Sequence, residues 1–307
     1  MKVNILLSTY NGEQFLAEQL RSLQAQTYRD WKLLVRDDGS TDGTLAILAD
    51  FMVADSRISQ LETRENLGSI DSFHALAKAA EPADYYFFCD QDDIWLPEKL
   101  QVVLDKAISL SPQTPRLIYS ELKVVTQDLT VQNEHMVATQ SGHPNLELIQ
   151  ELTENTVTGC TMMANTALIQ LWRDTEDVVM HDWWLALLAS AVGELIFIDQ
   201  PLVLYRQHSN NVLGARTLNK RVKRWFSHWF RKYWWLITAS QKQAEKLLAY
   251  DAVTTEQRKL ITAFTTILTQ KHRWQILQKY NLRKNKNFHT FVFRFLIITK
   301  FAYRSTK

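Results

Sequence analysis

The chain has 307 residues, a formal net charge of +2 and 46% hydrophobic residues, which excludes a disordered chain and allows one large core or two modest ones. Two cysteines, Cys89 and Cys160, exclude a disulfide framework and favour the reducing cytoplasm. The first residues lack the long apolar region of a signal peptide, and no uninterrupted apolar run approaches the roughly 20 residues of a spanning helix. We therefore expect a soluble, cytoplasmic protein that does not cross the membrane.

Strand-like apolar segments alternate with helical patterns in the first part of the chain. The strands end at Ser8, Asp37, about Thr63 and Asp90, and the helical patterns cover 13–26, 41–51 and 69–80. This alternation predicts an α/β fold with a parallel, doubly wound sheet. Right-handed crossovers bring the carboxyl ends of such strands to one edge, where open α/β sheets bind ligands. We therefore expect the polar segments after these strands to share one site.

A second strand-rich part follows Pro112 and Pro115. Its predicted elements are a strand over 117–125, a turn at Gln127 and Asp128, a polar region over 140–158, a helix that opens near Asp182, and strands over 194–198 and 202–205. From about Ala215 onward the chain is helical, basic and aromatic.

The segment Asp37-Asp38-Gly39-Ser40-Thr41-Asp42-Gly43 follows an apolar strand and precedes a helix. Taken alone, it is typical of a turn with a helix N-cap, a task that Asp, Ser and Thr commonly perform. Alternatively, a carboxylate here accepts the imide N–H of a pyrimidine, while the loop around Gly12 approaches the same nucleotide.

Three carboxylates, Asp90, Asp92 and Asp93, directly follow a buried apolar segment. Carboxylates crowded in this way stay ionised only if a cation or strong donors compensate them. Oxygen ligands suit Mg²⁺ or Mn²⁺, which proteins often hold together with substrate phosphates, so the cluster predicts a divalent metal beside a nucleoside diphosphate. The alternative is a solvated acidic loop that caps the helix beginning near Pro97. We assign Asp93 to that capping.

Seven motifs, in this order, make the chain resemble the inverting family 2 glycosyltransferases of the GT-A fold, in their bacterial rhamnosyltransferase-like branch. They are Ser8-Thr9-Tyr10-Asn11-Gly12, Asp37-Asp38-Gly39-Ser40-Thr41-Asp42, Asn66-Leu67-Gly68, Asp90-Gln91-Asp92-Asp93-Ile94-Trp95, Thr158-Gly159-Cys160, His181-Asp182-Trp183-Trp184 and Tyr205-Arg206-Gln207-His208. The resemblance implies a Rossmann-like nucleotide-sugar-binding domain with a mostly parallel central sheet over 1–214. Its nucleotide-binding half covers about 1–120, its acceptor-side half covers 121–214, and a basic helical region covers 215–307.

The resemblance also assigns roles to individual residues. For nucleotide binding it implies Ser8, Thr9, Tyr10, Asp38, Asn66, Gly68 and Asp90. For the divalent metal, Mn²⁺ or Mg²⁺, it implies Asp92 as a direct ligand, with Asp90 and His208. The residues implied to line the donor and acceptor are Trp95, Gly159, Cys160, His181, Trp183 and Trp184. Asp182 matches the general base. Without the resemblance, His208 is typical of a local hydrogen-bonding residue and Asp182 of a helix N-cap.

The chemistry of the residues agrees with a base role for Asp182. Displacing a nucleoside diphosphate from an anomeric carbon requires neutralisation of the leaving group's charge and deprotonation of the acceptor hydroxyl. At a helix start between aromatic residues, the Asp182 carboxylate is expected to be partly desolvated, which raises its basicity, while Trp183 and Trp184 pack on sugar C–H surfaces. The family usually has an acidic residue before the base, whereas this chain has His181. That departure bears on the substrate more than on the mechanism.

Charge is divided unevenly along the chain. Residues 215–307 hold 21 Lys/Arg and 3 Asp/Glu, against 14 and 30 in residues 1–214. Aromatic and basic residues recur at helical spacing within 218–248, and again within 288–303, which predicts amphipathic basic helices. We expect this region to attach the protein peripherally to the inner face of the cell membrane. The alternatives are packing on the catalytic domain, packing of the helices on each other, or a homodimer interface; we do not expect nucleic-acid binding.

These observations predict a metal-dependent inverting glycosyltransferase that transfers L-rhamnose from dTDP-L-rhamnose to a glycan or lipid-linked acceptor in bacterial cell-surface polysaccharide synthesis. The donor assignment depends on the resemblance alone, and a UDP-sugar carrying a glucosyl, galactosyl or N-acetylhexosaminyl group is the alternative. Paired Asp residues also serve two-metal phosphoryl- and nucleotidyltransferases, but the first loop lacks their Gly-rich lysine motif. A more distant alternative is a non-catalytic nucleotide-sugar-binding scaffold.

Overall fold

The computed structural model of the protein describes residues 1–62, 65–208 and 225–303. The strands are β1 (Val3–Thr9), β2 (Trp31–Asp37), β3 (Ile58–Gln60), β4 (Tyr85–Cys89), β5 (Ile94–Trp95), β6 (Arg116–Val125), β7 (Val131–Asn133), β8 (Met163–Asn165) and β9 (Glu194–Arg206). The helices are α1 (Leu16–Gln24), α2 (Thr44–Ala54), α3 (Gly68–Ala79), α4 (Lys99–Ile108), α5 (Met136–Gln140), α6 (Leu148–Glu151), α7 (Thr166–Ile169), α8 (His181–Val192), α9 (Trp225–Lys246), α10 (Thr255–Thr266), α11 (Arg273–Lys279) and α12 (Asn287–Thr299).

Across the part of the chain that the structure describes, nine strands form one sheet. Their order is β3-β2-β1-β4-β8-β6-β9-β5, and β7 pairs with β6. Strands β1 to β4 pair in parallel, as do β6 and β9, whereas β8 runs antiparallel between β4 and β6. The α/β fold with a mostly parallel central sheet is therefore confirmed. The doubly wound pattern does not predict the antiparallel strands, which are β8 within the sheet and β5 and β7 at its margin.

Two features of the predicted elements differ in detail. The predicted strands 194–198 and 202–205 form the single strand β9, whose register against β6 shifts between Ile198 and Pro201. The strand end predicted near Thr63 lies outside the described residues, and β3 ends at Gln60. The predicted helix start near Leu218 and the boundary at 214/215 also lie outside them.

The parallel pairing brings three polar segments to one edge of the sheet. Thr9 at the end of β1 pairs with Asp37 at the end of β2, and Leu7 pairs with Cys89, the last residue of β4. The segments that follow β1, β2 and β4 therefore leave the sheet side by side, as the order of strands and helices predicts.

The core has two layers because successive strand residues point to opposite faces of the sheet. Leu6 and Phe88 join the cluster that contains α3 and α8, while Leu7 and Phe87 join the cluster beneath α1, α2 and α4. Both clusters are apolar and closely packed, which holds the loops at the sheet edge in fixed positions.

The C-terminal helices pack on the α8 side of the sheet. Trp234 and Ile237 of α9 are buried in the same cluster as Trp184 of α8, together with Phe264 of α10 and Phe293 of α12. This face of α9 therefore contacts the catalytic domain, which was one of the alternatives for the C-terminal region. No helix in the described ranges 1–62, 65–208 and 225–303 combines the length and the apolar character that a membrane span requires.

Candidate active site

The loop after β1 is held to the acidic segment by Gln91. The backbone N–H of Tyr10 donates to Gln91 Oε1 at 2.9 Å, and Gln91 Nε2 donates to the Tyr10 carbonyl at 3.0 Å. A Cβ on Gly12 would lie 2.3 Å from Gln91 Oε1, so this contact requires a glycine. Ser8 is half-buried and Tyr10 is exposed, whereas the Thr9 hydroxyl is buried and donates to Asp37. Any contact of Thr9 with a nucleotide is therefore through its backbone.

Asp38 organises the start of α3. Its carboxylate accepts hydrogen bonds from the backbone N–H of Leu67 at 2.8 Å, the N–H of Gly68 at 2.7 Å, the Ser72 hydroxyl at 3.0 Å, and Arg36. Burial alone would raise the pKa of Asp38, but these hydrogen bonds outweigh it and lower the pKa below its ordinary value. Three of the four bonds end on Oδ1, which leaves Oδ2 with capacity for a ligand donor.

The loop that Asp38 anchors presents Asn66 and Gly68 to solvent. Gly68 has a φ of +75°, a conformation that residues with a side chain rarely adopt. Asp38, Asn66 and Gly68 are therefore brought together, as the resemblance implies.

Asp92 and His208 are brought together although 116 positions separate them. Asp92 Oδ2 lies 2.7 Å from His208 Nε2, and the His208 ring lies 4.8 Å from the ring of Phe15. Arg206, two residues before His208, donates from Nε to the Asp92 carbonyl at 2.9 Å. The end of β9 is thereby fixed to the acidic loop, and the side chains of Asp92 and His208 face each other.

Asp93 is a buried contact to β9, which corrects its assignment to helix capping. Its Oδ1 accepts from the backbone N–H of Arg206 at 3.0 Å, and Glu98 occupies the cap position of α4. The second oxygen, Oδ2, is buried and has no hydrogen-bond partner in the part of the chain that the structure describes. Carboxylate oxygens of Asp93 and Asp90 and the Cys160 sulfur lie within 4.8 Å of one another.

Asp90 is the first carboxylate of the acidic loop, which comprises Asp90, Gln91, Asp92 and Asp93, and it interacts electrostatically with Asp182. Burial, followed by the negative charges of Asp92 and Asp182, raises the pKa of the Asp90 carboxyl to about 7. The charge of Lys99 acts in the opposite direction. Asp90 therefore links the two carboxylates that the resemblance assigns to metal binding and to base catalysis.

Lys99 is a buried cation that the sequence interpretation did not include. Its ammonium lies 3.2 Å from the centre of the Trp95 ring and donates to the Cys160 carbonyl. Burial lowers the pKa of Lys99 to about 8, and the nearby Cys160, Cys89 and Asp93 counteract this. Lys99 thus places positive charge beneath the acidic loop and ties that loop to the turn formed by Gly159–Thr161.

Asp182 occupies the first turn of α8 and is held on both oxygens. Gly159 N–H donates to Oδ2 at 3.2 Å, and Asn155 Nδ2 donates to Oδ1 at 3.3 Å. Burial raises the pKa of Asp182 to about 7 even though these hydrogen bonds and that of the Trp183 N–H oppose the shift. A carboxylate with such a pKa is suited to general base catalysis near neutral pH.

Three tryptophans predicted to line the donor and acceptor are core residues instead. Trp95 is buried beneath α1 and α4, and Trp183 and Trp184 are buried in the α8 cluster. The indole N–H of Trp183 donates to the Glu151 carbonyl at 2.7 Å. The faces of Trp183 and Trp184 are therefore not available to a sugar. Cys160 is likewise buried, and its carbonyl rather than its thiol contacts Lys99.

His181 is buried against two phenylalanine rings that also contact each other. Its ring centre lies 4.3 Å from that of Phe73 and 5.6 Å from that of Phe88, and neither ring nitrogen has a hydrogen-bond partner among the described residues. Burial lowers the pKa of His181 to about 3, so the imidazole is neutral. A Cβ on Gly159 would lie 2.8 Å from His181 Nε2, so the imidazole packs directly against the turn that holds Asp182.

The residues at the acidic loop fit a divalent metal. Carboxylate oxygens and a ring nitrogen are donor types compatible with Mn²⁺ or Mg²⁺. Asp92 and His208 face each other, whereas the Asp90 carboxylate is grouped with Asp93 and Cys160 within the described residues. The partnerless buried oxygen of Asp93 and the raised pKa of Asp90 indicate excess negative charge, which a divalent cation would offset.

Comparisons with known proteins agree with this geometry. Residues 4–164 match the family Glycosyl transferase family 2. The chain is 30% identical over 250 residues to dTDP-rhamnosyl transferase RfbG of Shigella flexneri, covering 74% of this chain and 81% of that protein. It is 27% identical over 264 residues to the putative teichuronic acid biosynthesis glycosyltransferase TuaG of Bacillus subtilis (strain 168), covering 80% and 97%.

A solved structure shares the fold. S. aureus TarS 1–349 in complex with UDP-GlcNAc superposes with a TM-score of 0.54 at 18% identity, covering 91% of this chain and 80% of that chain. The match to another S. aureus TarS structure covers 43% of the length of that protein. From the family match and the similarity to RfbG, the chain belongs to glycosyl transferase family 2 and is a glycosyltransferase of the GT-A fold.

Proposed function

We propose that the protein is a metal-dependent inverting transferase that moves L-rhamnose from dTDP-L-rhamnose to a glycan or lipid-linked acceptor in bacterial cell-surface polysaccharide synthesis. The observation that carries this proposal is the Asp182 carboxylate. It is held by Gly159 and Asn155, has a pKa raised by burial to about 7, and interacts electrostatically with Asp90 of the acidic loop.

The proposed reaction is a single displacement. The acceptor hydroxyl transfers its proton to Asp182 as its oxygen attacks the anomeric carbon, and the bond from that carbon to the nucleoside diphosphate breaks. Inversion then converts a β-linked donor into an α-linked product. Asp90, Asp92 and His208 would hold the metal, which supplies compensation for the charge that develops on the diphosphate.

For the nucleotide we propose the groove beside Asp38, between the loop after β1 and the 66–68 loop. Asp38 Oδ2 remains able to accept a hydrogen bond such as that of a pyrimidine imide. Ser8 lies near the end of β1, and Tyr10 lies on the loop that follows, which Gln91 ties to the acidic segment. Both thymine and uracil carry this imide, so the contact supports a pyrimidine nucleotide without choosing between them.

Rhamnose as the donor sugar is supported by the similarity to RfbG, whose name gives dTDP-rhamnosyl transfer, and polysaccharide synthesis is supported by TuaG, whose name gives teichuronic acid biosynthesis. The alternative donor is a UDP-sugar, because TarS, which shares the fold, was solved with UDP-GlcNAc. We further propose that the basic region 215–307 attaches the protein to the inner face of the cell membrane.

A donor screen tests the proposal. The purified protein with Mn²⁺ is incubated with dTDP-L-rhamnose, UDP-glucose or UDP-N-acetylglucosamine, and thermal stabilisation and nucleoside diphosphate release are measured. We expect the largest stabilisation and release with dTDP-L-rhamnose, and none with EDTA, since selective binding stabilises the folded state. A larger effect with a UDP-sugar would favour the alternative, and no release with any donor would contradict the proposed reaction.

A further inference from the structure

Four exposed phenylalanines form a row along α12 and the residues after it, which we call the aromatic row. They are Phe288, Phe291, Phe295 and Phe301, and they are 66%, 67%, 41% and 52% exposed. The ring centres of Phe291 and Phe295 lie 6.3 Å apart, and those of Phe295 and Phe301 lie 6.2 Å apart. Contiguous apolar surface of this kind marks an interaction site more often than isolated exposed residues do.

Basic residues surround the aromatic row. Phe230 of α9 touches Phe301 at 5.2 Å between ring centres, and the exposed Arg231 and Lys232 follow it directly. The segments 230–236 and 283–303 together hold no Asp/Glu and seven Lys/Arg, of which Lys284 is buried. Aromatic rings with interspersed cations are typical of surfaces that lie at the headgroup level of an anionic bilayer.

The same charge pattern argues against a second copy of this chain as the occupant. A twofold dimer across the aromatic row would place the same basic segments opposite each other, with no acid in either to pair with them. The acidic body of the protein, 30 Asp/Glu against 14 Lys/Arg in residues 1–214, is repelled by an anionic leaflet, so this row is the face that such a leaflet attracts.

The aromatic row is connected to the Asp182 side of the active site by the segment that precedes α12. Thr153 Oγ1 donates to the Arg283 carbonyl at 2.6 Å, and the buried Lys284 donates to the Thr153 carbonyl. Asn285 N–H donates to the Glu154 carboxylate at 2.9 Å. The next residue, Asn155, donates to Asp182.

A fourth hydrogen bond places the same segment beside α5. Lys286 Nζ donates to the Thr139 carbonyl at 2.8 Å. A cavity of about 80 Å³ lies between α5 and the turn that contains Asn155 and Thr158. The row, the cavity and the base are therefore on one side of the molecule.

We infer that the aromatic row lies on an anionic membrane surface and holds the Asp182 side of the active site at that surface, so that the acceptor is a membrane-anchored glycan. This inference depends on the proposed function, because only a transferase has an acceptor to receive. It also moves the membrane contact from α9, whose Trp234 and Ile237 are buried, to α12.

Vesicle flotation tests the surface. Wild-type protein is expected to float with vesicles that contain phosphatidylglycerol, and Phe288→Ser/Phe291→Ser to lose about tenfold or more of that binding. The matched control is Val53→Ser/Ile108→Ser, which removes two exposed apolar side chains from the opposite side of the sheet and should float like wild type. Equal flotation of the two variants, or no flotation of wild type, would overturn the inference. It would also be overturned if wild type and the control were dimers and Phe288→Ser/Phe291→Ser were a monomer.

Fluorescence quenching tests the orientation. Both native cysteines are buried, so a cysteine introduced by Gln140→Cys or by Val53→Cys is the preferred site for a fluorescent label. Vesicles with nitroxide-labelled headgroups should quench the label at position 140, beside α12, and leave the label at position 53 unchanged. Equal quenching at both positions would contradict the orientation.

Turnover in the absence of vesicles separates this inference from the proposed function. Hydrolysis of dTDP-L-rhamnose with Mn²⁺ should be equal in wild type and in Phe288→Ser/Phe291→Ser. Hydrolysis without flotation would overturn only the membrane inference. Flotation without hydrolysis of any nucleotide sugar would overturn the proposed function, and with it the assignment of the membrane-anchored acceptor.

Discussion

The backbone N–H of Gly159 donates to Oδ2 of Asp182 at 3.2 Å, which joins the short turn Gly159–Thr161 to the first turn of α8. The next carbonyl in that turn, that of Cys160, accepts a hydrogen bond from Lys99. Because Lys99 also interacts electrostatically with Asp90 and Asp93, the orientation of the base is coupled to the acidic loop through one turn of backbone.

Replacing Asp182 by Asn should reduce kcat by about 10²- to 10⁴-fold, the usual contribution of a positioned general base. Asn keeps the shape of the side chain, so the dissociation constant for the donor should remain nearly unchanged in calorimetric titration. Retained turnover would remove Asp182 from the base role.

The pH dependence of kcat/KM should report the ionisation of Asp182. Its pKa is raised to about 7, and only the carboxylate can accept a proton. The value of kcat/KM should therefore increase about tenfold per pH unit below pH 7 and level off above it, measured at saturating Mn²⁺. A profile that is flat from about pH 5 to 8 would contradict an ionising base in this range.

Gly159→Ala should lower kcat by about 10- to 100-fold with little change in donor affinity. The new methyl would lie 2.8 Å from His181 Nε2, and Phe73 and Phe88 restrict movement of that ring, so the turn itself must shift away from Asp182. Adding His181→Ala should recover part of the loss by making room. If the fold-loss in kcat of the double variant equalled the product of the two single fold-losses, the contact between position 159 and His181 would not explain the effect of Gly159→Ala.

The arrangement of the site could be predicted from the sequence wherever it depends on strand order. Alternating strands and helices place the segments after β1, β2 and β4 at one edge, and the structure brings Thr9, Asp37 and Asp90 there. Contacts between distant segments, such as Asp93 with Arg206, leave no local pattern, because either residue alone is also typical of an exposed loop.

Two side-chain environments carried a sequence signal that the motif-based interpretation overlooked. Residues 183–189 contain no polar side chain, and a helix that is apolar on all sides is buried, which excludes Trp183 and Trp184 from a sugar site. Lys99 shares a helical face with Leu100, Val103 and Leu104, which indicates that its stem points into the core. The helical pattern does not predict that the Lys99 ammonium donates to the Cys160 carbonyl.

Asp90 and Asp182 both contribute to how stability should vary with pH in the absence of metal. Each has a pKa of about 7 in the folded protein, above the ordinary value of 3.8. The folded state therefore binds more protons than the unfolded state between these values, so the free energy of unfolding decreases as pH rises through this window. A bound cation would favour the ionised form of Asp90 and so reverse the decrease in the free energy of unfolding that the ionisation of Asp90 causes.

In denaturant titrations with EDTA, the free energy of unfolding should therefore be lower at pH 8 than at about pH 6. When Mn²⁺ replaces EDTA, the increase in the free energy of unfolding should be larger at pH 8, because protons no longer compete for the carboxylates there. Asp92→Asn should abolish the Mn²⁺ increment because it removes the carboxylate that faces His208. Asp50→Asn, an exposed acid on α2, is the matched control and should keep the increment. Equal Mn²⁺ increments in these two variants would exclude Asp92 as a metal ligand.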